Sequence, residues 1–497
     1  MTTEPSASEP EPRIGTHAPG QRSLRSRATR GTVWTALGYG GGQALRLVSN
    51  IVLTRLLFEE AFGVMALVWV FMQGLALFSD IGIGPSIIQN KRGDQPSFLN
   101  TAWTIQVGRG FLLGLVAAAC AVPFARLYDE PSLATLLPVA GLSAVISGFN
   151  STKLFTMNRH LTVGRISLIE FAGQALGLVV TIVWALFHRS VWALVVGGLA
   201  TPLFRLVLSH AALPGEMNRF AWSRSDARAM FTFGRWIFVS TAMTFLASQS
   251  DRLIFGKIIP LATLGIYQIA VTMASLPSLA LEALGSRIIF PLFSRVFNEG
   301  GDLLASFRRV RLPVLVLAAW IISGFAAGGD VIVDILYDDR YSQAGWILEL
   351  LSVGAWFTVI DVTYKSSLLA RGQANIVAAA NLAKFLGMVF FIPLGFYFLQ
   401  FPGAVAGLVA TDLCRVSVSI AASRRAGVRA LDQDLWLTAL LAAAAGGGWL
   451  AAEAFGGAHV VVRAAVVFAV VTALWAPLAV RYARGLRRTA APAMSTT

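Results

Sequence analysis

The chain has 497 residues, 56% of them hydrophobic and 13% charged, with a mean hydropathy of +0.67. A soluble domain carries about a quarter charged residues. Here apolar runs of about 20 residues, each able to cross a hydrocarbon core of roughly 30 Å, recur along the whole length. Composition therefore excludes a soluble fold, and the lack of period-two alternation excludes a transmembrane β-barrel; the pattern is that of an all-α polytopic membrane protein.

Residues 1–30 are rich in Pro, Ser, Glu and Arg and lack an apolar core, which predicts a disordered cytoplasmic tail and no cleavable signal. Apolar segments then follow at 31–57, 63–89, 99–125, 132–156, 161–187 and 190–213. A second set lies at 227–258, 263–291, 303–336, 342–370, 373–399 and 403–423. Two more, at 433–454 and 457–480, precede a basic tail at 481–497, for about 14 transmembrane helices in all. The connections are short, so no soluble domain is inserted.

The formal net charge of +14 is a topology signal. With the N-terminus inside, the inner loops and tails hold Arg22, Arg25, Lys91, Arg92, Arg159, Arg219, Arg224, Arg424, Arg425 and Arg484 among others. The outer loops hold Arg126, Arg189, Lys257 and Arg340. The split, roughly 24 against four, follows the positive-inside rule and leaves no basic surface for nucleic acid. Both termini are thereby placed on the cytoplasmic side of the membrane.

The chain repeats itself. At an offset of 202, Arg55 meets Lys257, Gly63 meets Gly265, Asp80 meets Glu282 and Arg109 meets Arg311. "LYD" at Leu127 recurs at Leu336; at an offset of 212, Lys153 meets Lys365 and Arg159 meets Arg371. Each repeat holds six spans, so both face the same way. This predicts an N-lobe at 31–213 and a C-lobe at 227–423, with two additional helices at 433–480 and a binding site between the lobes.

Polar side chains point toward that interface. A charge at mid-bilayer costs about 2.5–3.5 kcal/mol on insertion scales, so about a dozen basic residues inside spans must pair, snorkel or face water. Thr32, Thr35, Tyr39, Gln43, Arg46, Asn50 and Thr54 recur every three or four residues and line one face of the first helix. Span two adds Gln73 and Asp80, span seven Thr241, Ser248 and Arg252, and span eight Gln268, Thr272, Ser275, Glu282 and Ser286. The candidate substrate-binding set is Tyr39, Gln43, Arg46, Asn50, Lys153, Arg252 and Lys365, with Asp80 and Glu282 as candidates for ion coupling. Purely structural alternatives stand beside it. Asp361 and Lys365, four apart, form a candidate pair, as do Asp412 and Arg415, while Lys153, Arg235, Arg287, Lys365 and Arg415 are placed to snorkel.

No cofactor or metal is indicated. Cys120 and Cys414 lie in apolar segments, the five histidines have no ligand spacing, and "GYGGGQ" is not a dinucleotide fingerprint. No G-x-x-x-x-G-K-[ST] loop is present, so nucleotide hydrolysis is not expected.

The stretches "GTVWTALGYGGGQALRLVSNIVLTRLLFEEAFGVMALV" and "SQSDRLIFGKIIPLATLGIYQIA" resemble the openings of the two halves of bacterial oligosaccharide flippases of the polysaccharide-transporter type. These belong to the multidrug/oligosaccharidyl-lipid/polysaccharide flippase superfamily. The likeness runs over residues 28–425. It implies alternating access by two lobes that move a polyprenyl-pyrophosphate-linked oligosaccharide to the outer leaflet for exopolysaccharide, capsule or O-antigen assembly, and it implies no enzyme. The partners implied are the anionic lipid-linked oligosaccharide, membrane lipids and the polysaccharide polymerase machinery, with no nucleic acid. A cation-coupled multidrug antiporter of the same superfamily is the alternative, and its cavity would be acidic. A membrane enzyme of polysaccharide assembly (polymerase, ligase or glycosyltransferase) is the alternative of another class.

Overall fold

The computed structural model describes residues 40–160, 163–284, 293 and 303–490. Tyr39, Thr32, Thr35, Ser286, Arg287, the N-terminal tail and residues 491–497 therefore lie outside the described residues, as does the side chain of Arg235.

Every long element among the described residues is an α-helix. In chain order these are α1 (40–56), α2 (Glu59–Phe78), α3 (Ile83–Gln89), α4 (Pro96–Leu127), α5 (Leu133–Gly148), α6 (Lys153–Arg159), α7 (Val163–Phe187) and α8 (Trp192–Ala211). Then come α9 (Arg224–Ile258), α10 (Leu261–Ala274), α11 (Leu276–Leu284), α12 (Leu303–Leu336), α13 (Ala344–Ala370), α14 (Ala374–Arg425), α15 (Leu431–Ala454) and α16 (Val460–Ala490). Among the described residues, nine helices are long and apolar enough to cross a membrane, or eleven if the bent pairs α5–α6 (57°) and α10–α11 (45°) each make one span.

The 52-residue α14 is two helices. Gln400 has φ 54° and ψ −143°, and the chain reverses there. The halves fold back on each other, with the backbones of Gly395 and Gly403 in contact and Gly407 against Phe391. Glycine lets the backbones approach this closely, because hydrogen-bonded helices in lipid gain association energy mainly from tight packing. The turn falls where the sequence places the boundary between the segments 373–399 and 403–423.

Neighbouring helices pair as antiparallel hairpins: α4 with α5, α7 with α8, α12 with α13 and α13 with α14. Between the two halves of the chain, α2 packs on α9 and α10. The repeat-equivalent glycines Gly63 and Gly265 meet at this seam. A Cβ on Gly63 would strike the backbone of Leu261, and one on Gly265 the backbone of Glu59.

The last two helices pack on α12 and on each other. Trp356 Nε1 donates to Thr438 Oγ1 (2.8 Å), Trp320 Nε1 to Thr472 Oγ1 (3.1 Å) and Trp475 Nε1 to Ser323 Oγ (3.2 Å). Arg311, fully buried, is held by Asp434 and lies 4.8 Å from the ring centres of both Phe307 and Tyr364. Tyr364 Oη donates to the other oxygen of Asp434 at 2.6 Å. A buried guanidinium is tolerated when paired and stacked in this way. The surroundings of Arg311 thus differ from those of its repeat partner Arg109, which bonds Ser79 and the Ala76 carbonyl.

Candidate functional site: a cationic cavity between the halves

A cavity of about 770 Å³ opens between α1, α2, α7 and α8 on one side and α9, α10 and α11 on the other. Helix α1 contributes Gln43, Arg46 and Asn50, α2 contributes Gln73, α9 contributes Gln249 and Arg252, and α10 contributes Gln268 and Thr272. Phe62, Met65 and Trp69 supply an apolar wall. Gln174, Thr181 and Thr201 on α7 and α8 complete the lining with Gly177, Gly197 and Gly198; a Cβ on Gly177 or Gly197 would strike Thr201 or Thr181, so these glycines let the two helices close on each other.

The two arginines are held differently. Arg252 is rigid: its Nε donates to Gln268 Oε1 (2.8 Å), and one terminal nitrogen donates to the Ser248 carbonyl (3.1 Å), Gln249 Oε1 (3.1 Å) and Asp251 Oδ1 (3.4 Å). Behind it, Tyr267 Oη donates to Asp251 Oδ2 at 2.5 Å. The adjacent pairs Asp251–Arg252 and Tyr267–Gln268 therefore clasp in register across the α9–α10 hairpin. Tyr267 and Asp251 are buried, while Arg252 and Gln268 face the cavity. Arg46 is exposed to the cavity and makes no hydrogen bond or ion pair with the described residues. No acidic side chain is among the described lining residues. Two guanidinium charges in a low-dielectric cleft raise the local concentration of anions and bind them more strongly than they would in water.

Of the candidate set, the structure brings Gln43, Arg46, Asn50 and Arg252 to one cavity and does not bring Lys153, Lys365, Asp80 or Glu282 to its lining. Lys153 is buried at the start of α6, where its Nζ donates to the Leu213 carbonyl at 3.1 Å and its stem packs on Gly215. It neither faces the cavity nor snorkels. Asp80 is a turn residue, accepting from the Gly82 amide at 2.9 Å between α2 and α3. Lys365 is half-buried near the end of α13 with no bond to a described residue. Its candidate partner Asp361 turns to α14 instead, accepting from Ser419 Oγ (2.6 Å) and pairing with Arg415 (3.4 Å). Arg415 also reaches Asp412 (3.2 Å), as the spacing predicts, and Lys384 Nζ bonds the same carboxylate at 2.8 Å. Arg415 is thus fixed inside the C-terminal half and does not snorkel. Glu282, one turn beyond the lining residue Leu279, is within electrostatic reach of that network. Thr54 is buried, its hydroxyl returned to the Ile51 carbonyl.

Sequence reasoning missed Gln249, Gln174, Thr181 and Thr201 as lining residues. Gln174, Gly177 and Thr181 do sit on one helical face, at spacings of three and four.

Loop contacts bridge the halves at one end of the helices that line the cavity. The loop after α12 sends Arg340 to the carbonyls of Thr54 (2.8 Å) and Leu57 (3.3 Å) at the end of α1, with Asp338 at 2.6 Å. Lys257 at the end of α9 reaches the loop after α4, and Tyr128 Oη there donates to the Leu253 carbonyl at 3.1 Å.

Comparison with known proteins agrees with this fold. The lipopolysaccharide biosynthesis protein WzxC of Escherichia coli (strain K12) is 23% identical over 399 residues, covering 80% of each chain. The succinoglycan biosynthesis transport protein ExoT of Rhizobium meliloti (strain 1021) is 21% identical over 70% of each. Among solved structures, the lipid II flippase MurJ in an inward closed conformation has a TM-score of 0.67 at 10% identity, covering 91% of this chain and 99% of its own. An inward-facing multidrug resistance MATE family transporter of the MOP superfamily has a TM-score of 0.62 at 12% identity, covering 81% and 95%. The matched family, described as polysaccharide biosynthesis protein, spans residues 52–345, more than half of the chain, and to that family this transporter-like, helical membrane protein belongs.

Proposed function

We propose that the chain is a flippase that moves a polyprenyl-pyrophosphate-linked oligosaccharide across the bacterial inner membrane by alternating access, for exopolysaccharide, capsule or O-antigen assembly. The observation that carries this reading is a cavity lined by Arg46 of α1 and Arg252 of α9, with no acidic residue among its described lining. A pyrophosphate diester carries about two negative charges and is a strong acceptor for guanidinium donors. The glutamines, Asn50 and the hydroxyls of Thr181, Thr201 and Thr272 suit sugar hydroxyls, and the lipid tail stays in the bilayer.

In this proposal residues 31–213 and 227–423 are lobes that rock about the seam at Gly63 and Gly265. The helices at 433–480 buttress the second lobe, and the basic loops keep both termini cytoplasmic. The bridged end then faces the periplasm. A membrane potential negative inside favours outward movement of an anion by about 2.3 kcal/mol per charge per 100 mV, which supplies drive without nucleotide. Asp80 and Glu282 remain the proposed alternatives for ion coupling, and polymerase machinery the proposed recipient of product.

Cationic drugs are disfavoured as cargo, since each would meet two guanidinium groups, that of Arg46 with no acidic partner among the described residues, and no carboxylate in the described lining. The test is deletion of the gene followed by analysis of lipid-linked sugars in right-side-out and inverted vesicles. Accumulation on the cytoplasmic leaflet, reversed by the wild-type chain and not by Arg46→Ala, is expected. Unchanged sugar distribution, or export of cationic dyes by the purified protein in vesicles, would overturn the reading.

A further inference from the structure

The connection between α8 and α9, residues 212–223, has inverted polarity. Its uncharged polar side chains and several backbone groups bond into the protein. Asn218 accepts from the Thr152 amide (3.1 Å) and from Ser151 Oγ (3.1 Å), and donates to Thr152 Oγ1 (2.6 Å). The Arg219 amide donates to Asn100 (3.0 Å). Thr104 Oγ1 donates to the Ala221 carbonyl (3.0 Å) and accepts from its amide (3.1 Å), and the Ser223 amide donates to Thr101 (3.1 Å). The first turn of α9 continues the strap, with Asp226 bonded to Ser97 (3.0 Å) and Arg92 (2.7 Å). Its apolar side chains point outward: Met217, Phe220 and Trp222 are 70%, 67% and 59% exposed. Phe220 also leans on Trp103, with ring centres 4.7 Å apart.

A water-facing loop would show the opposite arrangement. A pinned, irregular segment gains nothing by holding Met, Phe and Trp outward unless something apolar meets them. Its depth suggests what that is. The strap attaches to α4 at Asn100, Thr101 and Thr104, four to eight residues into a helix that starts at Pro96, or about 6–12 Å along the axis at 1.5 Å per residue. That matches the headgroup–acyl boundary, where aromatic side chains collect and amphipathic segments bury to about 5–10 Å. The exposed charges alongside are Arg219, Arg224 and Arg228 against the single acid Glu216, which complements an anionic leaflet.

We propose that residues 217–228 form an interfacial anchor, with Met217, Phe220 and Trp222 seated in the bilayer boundary and Arg219, Arg224 and Arg228 on anionic phospholipid headgroups. The anchor fixes the first turn of α9 to α4 and to the leaflet, so movement between the halves of the chain starts beyond that turn.

The test places a nitroxide on Trp222→Cys and, in a second variant, Met217→Cys, each with Cys120 and Cys414 replaced by Ser. The full chain is put in vesicles of phosphatidylcholine with or without phosphatidylglycerol. Leu115→Cys, exposed to the surround in the middle of α4, checks insertion by reading deep lipid. Power saturation should give both strap labels interfacial depth, with oxygen access above that of a nickel chelate. Phosphatidylglycerol should deepen them, and the triple change Arg219→Gln, Arg224→Gln, Arg228→Gln should abolish that shift. Labels with water-like nickel access in both vesicles would overturn the anchor. So would a spin–spin broadening that grows with protein-to-lipid ratio, which would assign the surface to a second copy.

Discussion

Lys257 Nζ lies 2.7 Å from Asp129 Oδ2 and 2.8 Å from the Leu127 carbonyl, so the end of α9 is latched to the loop after α4. Asp129 belongs to the first "LYD" sequence. The second, at Leu336, sits in the loop whose Arg340 caps the end of α1, the helix that carries the repeat partner of Lys257. Each half thus clasps the other at the same end of the cavity, through repeat-related loops and different donors. Arg340 is hydrogen-bonded to Asp338, which raises its pKa above the ordinary value, so this latch stays charged as pH rises and does not open by deprotonation.

These latches are solvent-exposed, and exposed pairs contribute up to about 1 kcal/mol each. We expect Arg340→Ala to raise the population open at this end by up to about five-fold, and Arg340→Ala with Lys257→Ala to raise it further. Pulsed EPR distances between labels on the loops after α1 and α12 would report the change. An unaltered distance distribution in the double variant would show that the latches do not hold this end together.

Arg46 offers a clean separation of binding from folding. Because it pairs with no described residue, Arg46→Ala leaves no orphaned partner behind. Normal insertion and thermal stability are expected, with polymer export reduced at least ten-fold, about the loss expected for one charge-assisted contact of roughly 1.5–3 kcal/mol. Arg46→Lys should retain part of the export, since a point charge still attracts phosphate but cannot make a bidentate contact. Full export from Arg46→Ala at normal protein level would show that Arg46 plays no part.

The Arg252 clasp predicts a graded series. Gln268→Ala frees Nε of Arg252 and should weaken substrate binding, read as a raised KM, while maximal flux changes less. Tyr267→Phe removes the donor from buried Asp251 and should cost about 1–3 kcal/mol of stability, seen as a lowered melting temperature of the detergent-solubilised protein. If Gln268→Ala changed stability and left KM alone, Gln268 would be a packing residue only.

The helical fold, and the gathering of half of the candidate residues at one cavity, were legible because they follow from periodicity. The polar face of α1 was written at steps of three and four, and it placed Gln43, Arg46 and Asn50 on one cavity with Arg252. The offset of 202 aligns Gly63 with Gly265, although nothing in the sequence said that the two glycines lie against each other. The misplaced residues share one cause: depth and residue type do not give azimuth. Lys153 is basic and inside a hydrophobic stretch, yet the bend between α5 and α6 turns it toward Leu213. Asp361 and Lys365 have helix-pair spacing, yet α14 offers Asp361 a serine and an arginine from across a helix interface. Such choices depend on which helices become neighbours.

That last contrast gives an ordering the sequence would not. Arg415 joins Asp361 and Asp412 inside the C-terminal half, and removing one partner from a buried ion network costs about 3–5 kcal/mol, because the remaining charges are left uncompensated. Lys384 stays on Asp412, so the unbalanced group in Arg415→Ala is Asp361, and Arg415→Ala with Asp361→Asn should recover part of the loss. Lys365→Ala removes a half-buried side chain with no described partner and should leave the melting temperature within a degree or two of wild type. Measured side by side, Arg415→Ala is expected to lower folded yield and melting temperature, and Lys365→Ala to leave both intact. Equal stability of the two variants would mean that the Arg415 network contributes nothing to holding α13 against α14.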